Sequence, residues 1–173
     1  MEHITTKDAV DYVSSGNENL AATVTTHHLS INRNDLLTGG IRPHFYCLPV
    51  VKRETHRLAL VEAVVSGSPK FFLGTDSAPH HTNDKVQTQS LKPGIFSSPY
   101  SIELYATIFE EENALENLEQ FSSINGPQFY GLDINKEILT LAKTSMEVSE
   151  FIKEGNIRIK NFSIDKKINW KVL

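Results

Sequence analysis

A short apolar run, Phe71-Phe72-Leu73, ends in Gly74-Thr75-Asp76, and His80 follows four residues after the aspartate. The pattern predicts a buried strand that delivers a carboxylate to the mouth of a sheet or barrel. In parallel α/β folds the chemistry gathers at the C-terminal ends of strands. A carboxylate placed there costs stability unless it is paired, hydrogen-bonded or bound to a metal. Asp76 therefore reads as a metal ligand or general base, against the plainer alternative of a helix N-cap or a satisfied loop carboxylate. His80, with its approach stiffened by Pro79, can reach back over Asp76 to donate to a substrate anion; a solvated loop histidine fits the local sequence equally well.

The other reactive side chains carry weaker signals. His3 lies near the N-terminus, where a ligand role competes with an ordinary surface one. His27-His28 and His44 fall in a stretch read as loop, where histidines are more often structural or exposed than ligands. Spacing alone encodes no self-contained metal site, because no His-x-His, His-Glu-x-x-His or Cys-x-x-Cys pair occurs. The single Cys47 has no adjacent base and reads as a small packed hydrophobe. Pro43 and Pro49 bracket an aromatic segment, and the proline after Leu48 holds that residue extended. The backbone of Leu48 can then face a ligand, or the segment can serve as a rigid connector.

These residues need elements to position them. The sequence predicts a helix from residue 7, capped by Thr5 or Thr6 and stopped at Gly16. A strand is expected at residues 20–25, a long irregular segment at 27–49, a helix at 53–65 closed by Gly67, and the strand at 71–73. A polar loop at 80–99 precedes helices at 101–112 and 114–121. Asn125-Gly126-Pro127 reads as a turn, and residues 135–144, capped by Asp133 or Asn135, as a further helix. The alternation at Ile157, Ile159 and Phe162, then Ile168, Trp170 and Val172, predicts a small antiparallel pair turning at Asp165-Lys166-Lys167. Two strands joined by a helix make one βαβ unit. One unit cannot close a parallel sheet, so residues 1–173 read as one partial α/β domain.

The composition sets outer bounds. The chain has 173 residues, 39% of them hydrophobic and 22% charged, which is globular. A net charge of −4 gives no global attraction to nucleic acid or to an anionic membrane, and Lys166-Lys167 is too short a run to be a binding patch. One cysteine excludes an internal disulfide and suits a reducing cytoplasm. No apolar run approaches the ~20 residues of a membrane span, and the N-terminus lacks the basic and apolar regions of a signal peptide.

Several segments, in order, resemble a known family: Glu2-His3-Ile4-Thr5-Thr6-Lys7-Asp8-Ala9, Asn32-Arg33-Asn34, Gly40-Ile41-Arg42-Pro43-His44, Tyr46-Cys47-Leu48-Pro49, Gly74 through His80, Phe109-Glu110-Glu111, and Asn125 through Gly131. Together they look like the C-terminal half of dihydroorotase, of the single-function bacterial and yeast type within the amidohydrolase superfamily. The resemblance implies the C-terminal portion of a (β/α)8 barrel, from the end of strand six through strand eight, with C-terminal helices and a short β pair. It implies a two-zinc enzyme interconverting L-dihydroorotate and N-carbamoyl-L-aspartate in pyrimidine synthesis.

By that resemblance His3 binds one zinc, and Asp76 binds the other and serves as general base and acid. His80 holds the substrate carboxylate, and the backbone of Leu48 meets the substrate ring. Pro93 falls where the family uses a backbone amide, although proline has no N–H to give; a slip of one residue would make Gly94 the donor. The remaining zinc ligands of the family, including a His-x-His and a carboxylated lysine, have no counterpart in this sequence. Each zinc would keep one ligand where a stable site takes three or four. The expectation is no catalysis by this chain alone unless another chain supplies the first half; a homodimer is a further possibility. The alternative is a non-catalytic half-barrel acting as an interaction subunit.

Overall fold

The computed structural model describes residues 1–86, 90–162 and 168–173. Helix α1 (Lys7–Ser15) starts where the Thr6 side chain accepts the Ala9 amide at 3.1 Å, and it ends as the Gly16 amide returns to the Val13 carbonyl. It buries Val10 and Val13. Strand β1 (Ala22–Val24) is buried throughout and pairs in parallel with β2 (Phe71–Leu73), in the register Ala22 to Phe71 and Val24 to Leu73. On the other side of β1 the first four residues run alongside it: Thr23 N–H donates to the Met1 carbonyl at 3.0 Å, and Ile4 N–H to the Thr23 carbonyl at 3.2 Å.

Between the strands lie α2 (Thr26–Ser30), α3 (Arg33–Leu37) and the crossover helix α4 (Glu54–Val65). The expectation of an irregular 27–49 segment is corrected by two short capped helices. Thr25 caps the first, and Asn32 with Asp35 forms a capping box on the second. Within the loop at 80–99 a further short helix, α5 (Thr82–Val86), forms.

Helix α6 (Ser101–Glu111) is the central packing element, burying seven consecutive residues from Glu103 to Phe109. Tyr105 and Phe109 meet Phe121 at ring distances of 5.2 and 5.5 Å in a core that includes Val13, Val24, Leu60, Val64 and Phe71. The Tyr105 hydroxyl donates to the Val24 carbonyl at 2.7 Å and so pins β1 to α6. A second cluster gathers Phe45, Cys47, Val51, Ile95, Leu104, Phe162 and Ile168.

The C-terminal third departs most from expectation. Residues 114–121 do not form one helix: a 3-10 turn at Leu115–Asn117 is followed by a wide π turn at Gln120–Ile124. Asn125–Tyr130 is a helix, α7, closed by Gly131 in the left-handed region, because Pro127 sits in a first turn whose amides need no helical partner. The helix expected at 135–144 is absent. Residues 132–140 are irregular, and β3 (Leu141–Met146) pairs antiparallel with β6 (Ile168–Val172). A strand partner distant in sequence outweighed the helical spacing of Ile138, Leu141 and Ala142. β4 (Phe151–Glu154) pairs with β5 (Ile157–Lys160), so the two tail segments pair with other strands and not with each other. The turn expected at Asp165-Lys166-Lys167 lies outside the described residues. No helix among the described residues is long and apolar enough to cross a membrane.

Candidate metal and substrate site

The strand ends deliver the candidate residues. Gly74 follows β2 because a side chain there would bring its Cβ within 2.6 Å of the Thr23 Cβ on β1. The close approach carries the chain past β1 to Asp76. His3 arrives from the segment on the other side of β1, and its Nε2 stands 3.8 Å from the Asp76 Oδ1. That is beyond a hydrogen bond, and both side chains keep partial exposure, at 25% and 32%.

Both residues hold left-handed backbone, with φ of 52° at His3 and 41° at Asp76. Among the described residues only Asn113 shares this feature without being glycine. Such conformations cost energy in non-glycine residues and collect at functional sites.

Thr23 sets the orientation of the His3 ring. Its hydroxyl donates to Glu2 Oε2 at 2.7 Å and accepts the His3 backbone amide at 2.8 Å. The His3 Nδ1 lies 3.2 Å from the same oxygen. With its one proton given to Glu2, the hydroxyl can only accept from Nδ1, which must therefore carry hydrogen. Nε2 is left with a free lone pair on the side of Asp76, the state a metal-binding imidazole requires. An imidazole nitrogen and a carboxylate oxygen at this separation suit one divalent ion or two adjacent ones. A catalytic zinc takes three protein ligands, so this pair alone completes no such centre.

The other expected residues lie on loops stitched to this corner. Ala78 N–H donates to the Ile95 carbonyl, and Ser77 Oγ accepts the amides of Ser97 and Ser98. His80 Nε2 lies 2.9 Å from the Pro93 carbonyl, which can only accept, so Nε2 carries the hydrogen and Nδ1 faces elsewhere. A Cβ on Gly94 would come within 2.8 Å of that same Nε2, and its φ of 146° also favours glycine. Gly94 N–H is already given to the Tyr46 carbonyl at 2.9 Å. The structure thus brings Pro93 to His80 through its carbonyl, and neither Pro93 nor Gly94 offers a free amide.

Lys85, only 4% exposed, donates from Nζ to the carbonyls of Tyr46, Lys92 and Gly94 at 2.7–3.0 Å. Burial pulls its ammonium down to about 8. Leu48 stands two residues beyond Tyr46 with 58% of its surface exposed, bracketed by buried Cys47 and exposed Pro49.

Sequence reading missed two groups. Thr23 and Glu2 looked like ordinary strand and terminal residues, since nothing in their spacing marks a histidine-orienting pair. His27 and His28, expected on a loop, lie in α2 with 0% and 2% exposure. Their ligand atoms and that of Cys47 all fall within 4.8 Å of one another.

No protein-family model matches the chain. It is 52% identical to a dihydroorotase of Erythrobacter litoralis over 171 residues, which is 99% of this chain and 49% of that protein. It is equally identical to a dihydroorotase of Aliivibrio fischeri over 172 residues, 99% of this chain and 50% of the relative. The chain is a relative of the dihydroorotases and corresponds to their C-terminal half. It spans about half the length of the curated relatives it matches.

Solved structures agree. The Saccharomyces cerevisiae dihydroorotase in complex with 5-fluoroorotic acid superposes with a TM-score of 0.90 at 34% identity, over all of this chain and 50% of that one. The Campylobacter jejuni dihydroorotase gives 0.88 at 32%, with the same coverage. A Thermus D-hydantoinase gives 0.69 at 12% identity over 99% of this chain and 41% of that one, a likeness of fold alone. The chain is thus an α/β piece of the barrel architecture that these amidohydrolases share.

Proposed function

We propose that residues 1–173, one partial domain, supply the C-terminal half of a dihydroorotase site, from the sixth to the eighth strand of a (β/α)8 barrel. The reading rests on one observation above the others: His3 and Asp76, far apart in sequence, meet at the end of a parallel strand pair in strained backbone, with the His3 Nε2 lone pair free. Zinc bound there would polarise the cyclic amide and lower the pKa of water, the chemistry such a centre contributes.

The chain's own residues take the remaining tasks. His3 would hold one of two zinc ions and Asp76 the other. The Asp76 carboxylate accepts a proton from the attacking water and returns it to the leaving ring nitrogen, opening L-dihydroorotate to N-carbamoyl-L-aspartate, and the reverse order closes the ring. His80, its Nε2–H fixed on the Pro93 carbonyl, receives the substrate carboxylate at its other nitrogen when the ring is protonated. Pro93 serves the substrate through that carbonyl. The Leu48 backbone meets the substrate ring from a segment tied to Gly94. The absent ligands come from a complementing N-terminal half, in the cytoplasm.

Co-expression of this chain with the N-terminal half of the Aliivibrio fischeri relative tests the reading. Hydrolysis of L-dihydroorotate is expected from the pair and not from either half, and Asp76→Asn should lower it by about 10²–10⁴-fold. Equal turnover with Asp76→Asn would overturn the assignment.

A further inference from the structure

We propose that His27, His28 and Cys47 form a second metal site, distinct from the His3 and Asp76 corner, that takes zinc or a similar nitrogen- and sulfur-seeking divalent ion. Three observations carry this.

The first is an imidazole with nothing to bind. His27 is completely buried, and neither ring nitrogen has a hydrogen-bond partner. Its ring lies 4.5 Å from that of His28 and meets Phe162 edge to face at 6.2 Å. A buried, unsatisfied imidazole is costly, and a metal ion in the space it shares with Cys47 and His28 would remove that cost.

The second is geometry. Cys47 Sγ lies 3.8 Å from His28 Nε2, close to the edge of a tetrahedron built from zinc–nitrogen and zinc–sulfur bonds of about 2.0 and 2.3 Å. The ligand atoms of all three residues lie within 4.8 Å of one another, so small rotations close the set. The Pro49 carbonyl oxygen stands 2.8 Å from His28 Nε2 and 3.4 Å from the sulfur; it can only accept, so both point hydrogen at it, and an ion would take the place of those hydrogens.

The third is the outer shell. His28 Nδ1 lies 2.8 Å from the Thr25 hydroxyl, the second partner that orients a metal-binding histidine. Burial holds His28 down at about 4, which keeps its ring neutral. With Nε2 carrying hydrogen toward the Pro49 carbonyl, Nδ1 accepts from the Thr25 hydroxyl, so metal binding at Nε2 requires that ring proton to shift to Nδ1, where the Thr25 oxygen can accept it. The same burial pushes the Cys47 thiol up to about 11, so coordination must displace its proton to solvent as the sulfur–metal bond forms. Leu48 and Pro49, both exposed, follow the buried Cys47 directly in the chain, so the sulfur lies one residue from the surface. Once seated, it would clamp α2 to the segment bearing Leu48.

Cobalt(II) is the probe. Cys47 is the only cysteine, so a thiolate-to-cobalt charge-transfer band in the near ultraviolet can arise at this site alone. Titrating the full chain should raise that band to saturation at about one equivalent, and zinc should then displace it. Cys47→Ala should abolish the band, His27→Gln should weaken cobalt binding by about tenfold or more, and His3→Ala should leave it unchanged. Far-ultraviolet circular dichroism of each variant without metal checks the fold. No thiolate band in the unaltered chain overturns the proposal without recourse to any variant. A band of undiminished affinity in folded His27→Gln, or one lost in folded His3→Ala, overturns it as well.

Discussion

At the scale of single residues, Lys85 ties the loops of the candidate site together. Its ammonium satisfies three carbonyls from three separate backbone positions, yet burial lowers its pKa from 10.5 to about 8. Between those two values the unfolded chain binds more protons than the folded one, so this lysine makes unfolding harder as pH rises through that window. Below about pH 8 both states carry the charge and the cost of burying it is complete. Urea unfolding of the natural chain and of Lys85→Met from pH 7 to 10.5 should therefore show a difference that is flat at first and then grows in favour of the natural chain. At pH 7 the substitution should still cost about 2–4 kcal/mol, because it strands buried carbonyls. A difference independent of pH would show that Lys85 titrates alike in both states.

At the scale of elements, the strand pair depends on α6. Tyr105 is wholly buried with its hydroxyl on the Val24 carbonyl, and burial pushes its ionisation upward. Tyr105→Phe should lower stability by about 1–2 kcal/mol, read from the urea midpoint at unchanged slope. Spectroscopic titration should show one tyrosine that ionises only when the chain unfolds. Much of this layer was legible beforehand. Thr6 and Gly16 bound α1, residues 53–65 announce α4, and Phe71-Phe72-Leu73 with Asp76 announce the strand that carries the carboxylate. Local patterns carry that information because capping and burial act within one turn or one strand. β3 escaped notice because its conformation is set by β6 across the antiparallel pair. The Thr23–Glu2 bracket on His3 and the joining of α2 to Cys47 were hidden for a related reason, since both depend on segments brought together only by the fold.

At the scale of the whole molecule, Leu132, Ile134, Ile138 and Leu139 stand exposed within one irregular segment, at 63%, 44%, 91% and 58%. Exposed apolar side chains favour association where they come together in one patch. The isolated chain should self-associate in sedimentation velocity, and the double substitution Ile138→Ser and Leu139→Ser should shift it toward monomer with little change in melting temperature. A monodisperse monomer at high concentration would remove that surface from consideration. The left-handed backbone at His3 and Asp76 has a broader meaning. Glycine adopts it without penalty, so Asp76→Gly should raise the unfolding free energy by about 0.5–1 kcal/mol while deleting a metal ligand. A lineage selected only for durability would drift toward glycine at both codons, so durability alone does not account for a histidine and an aspartate there.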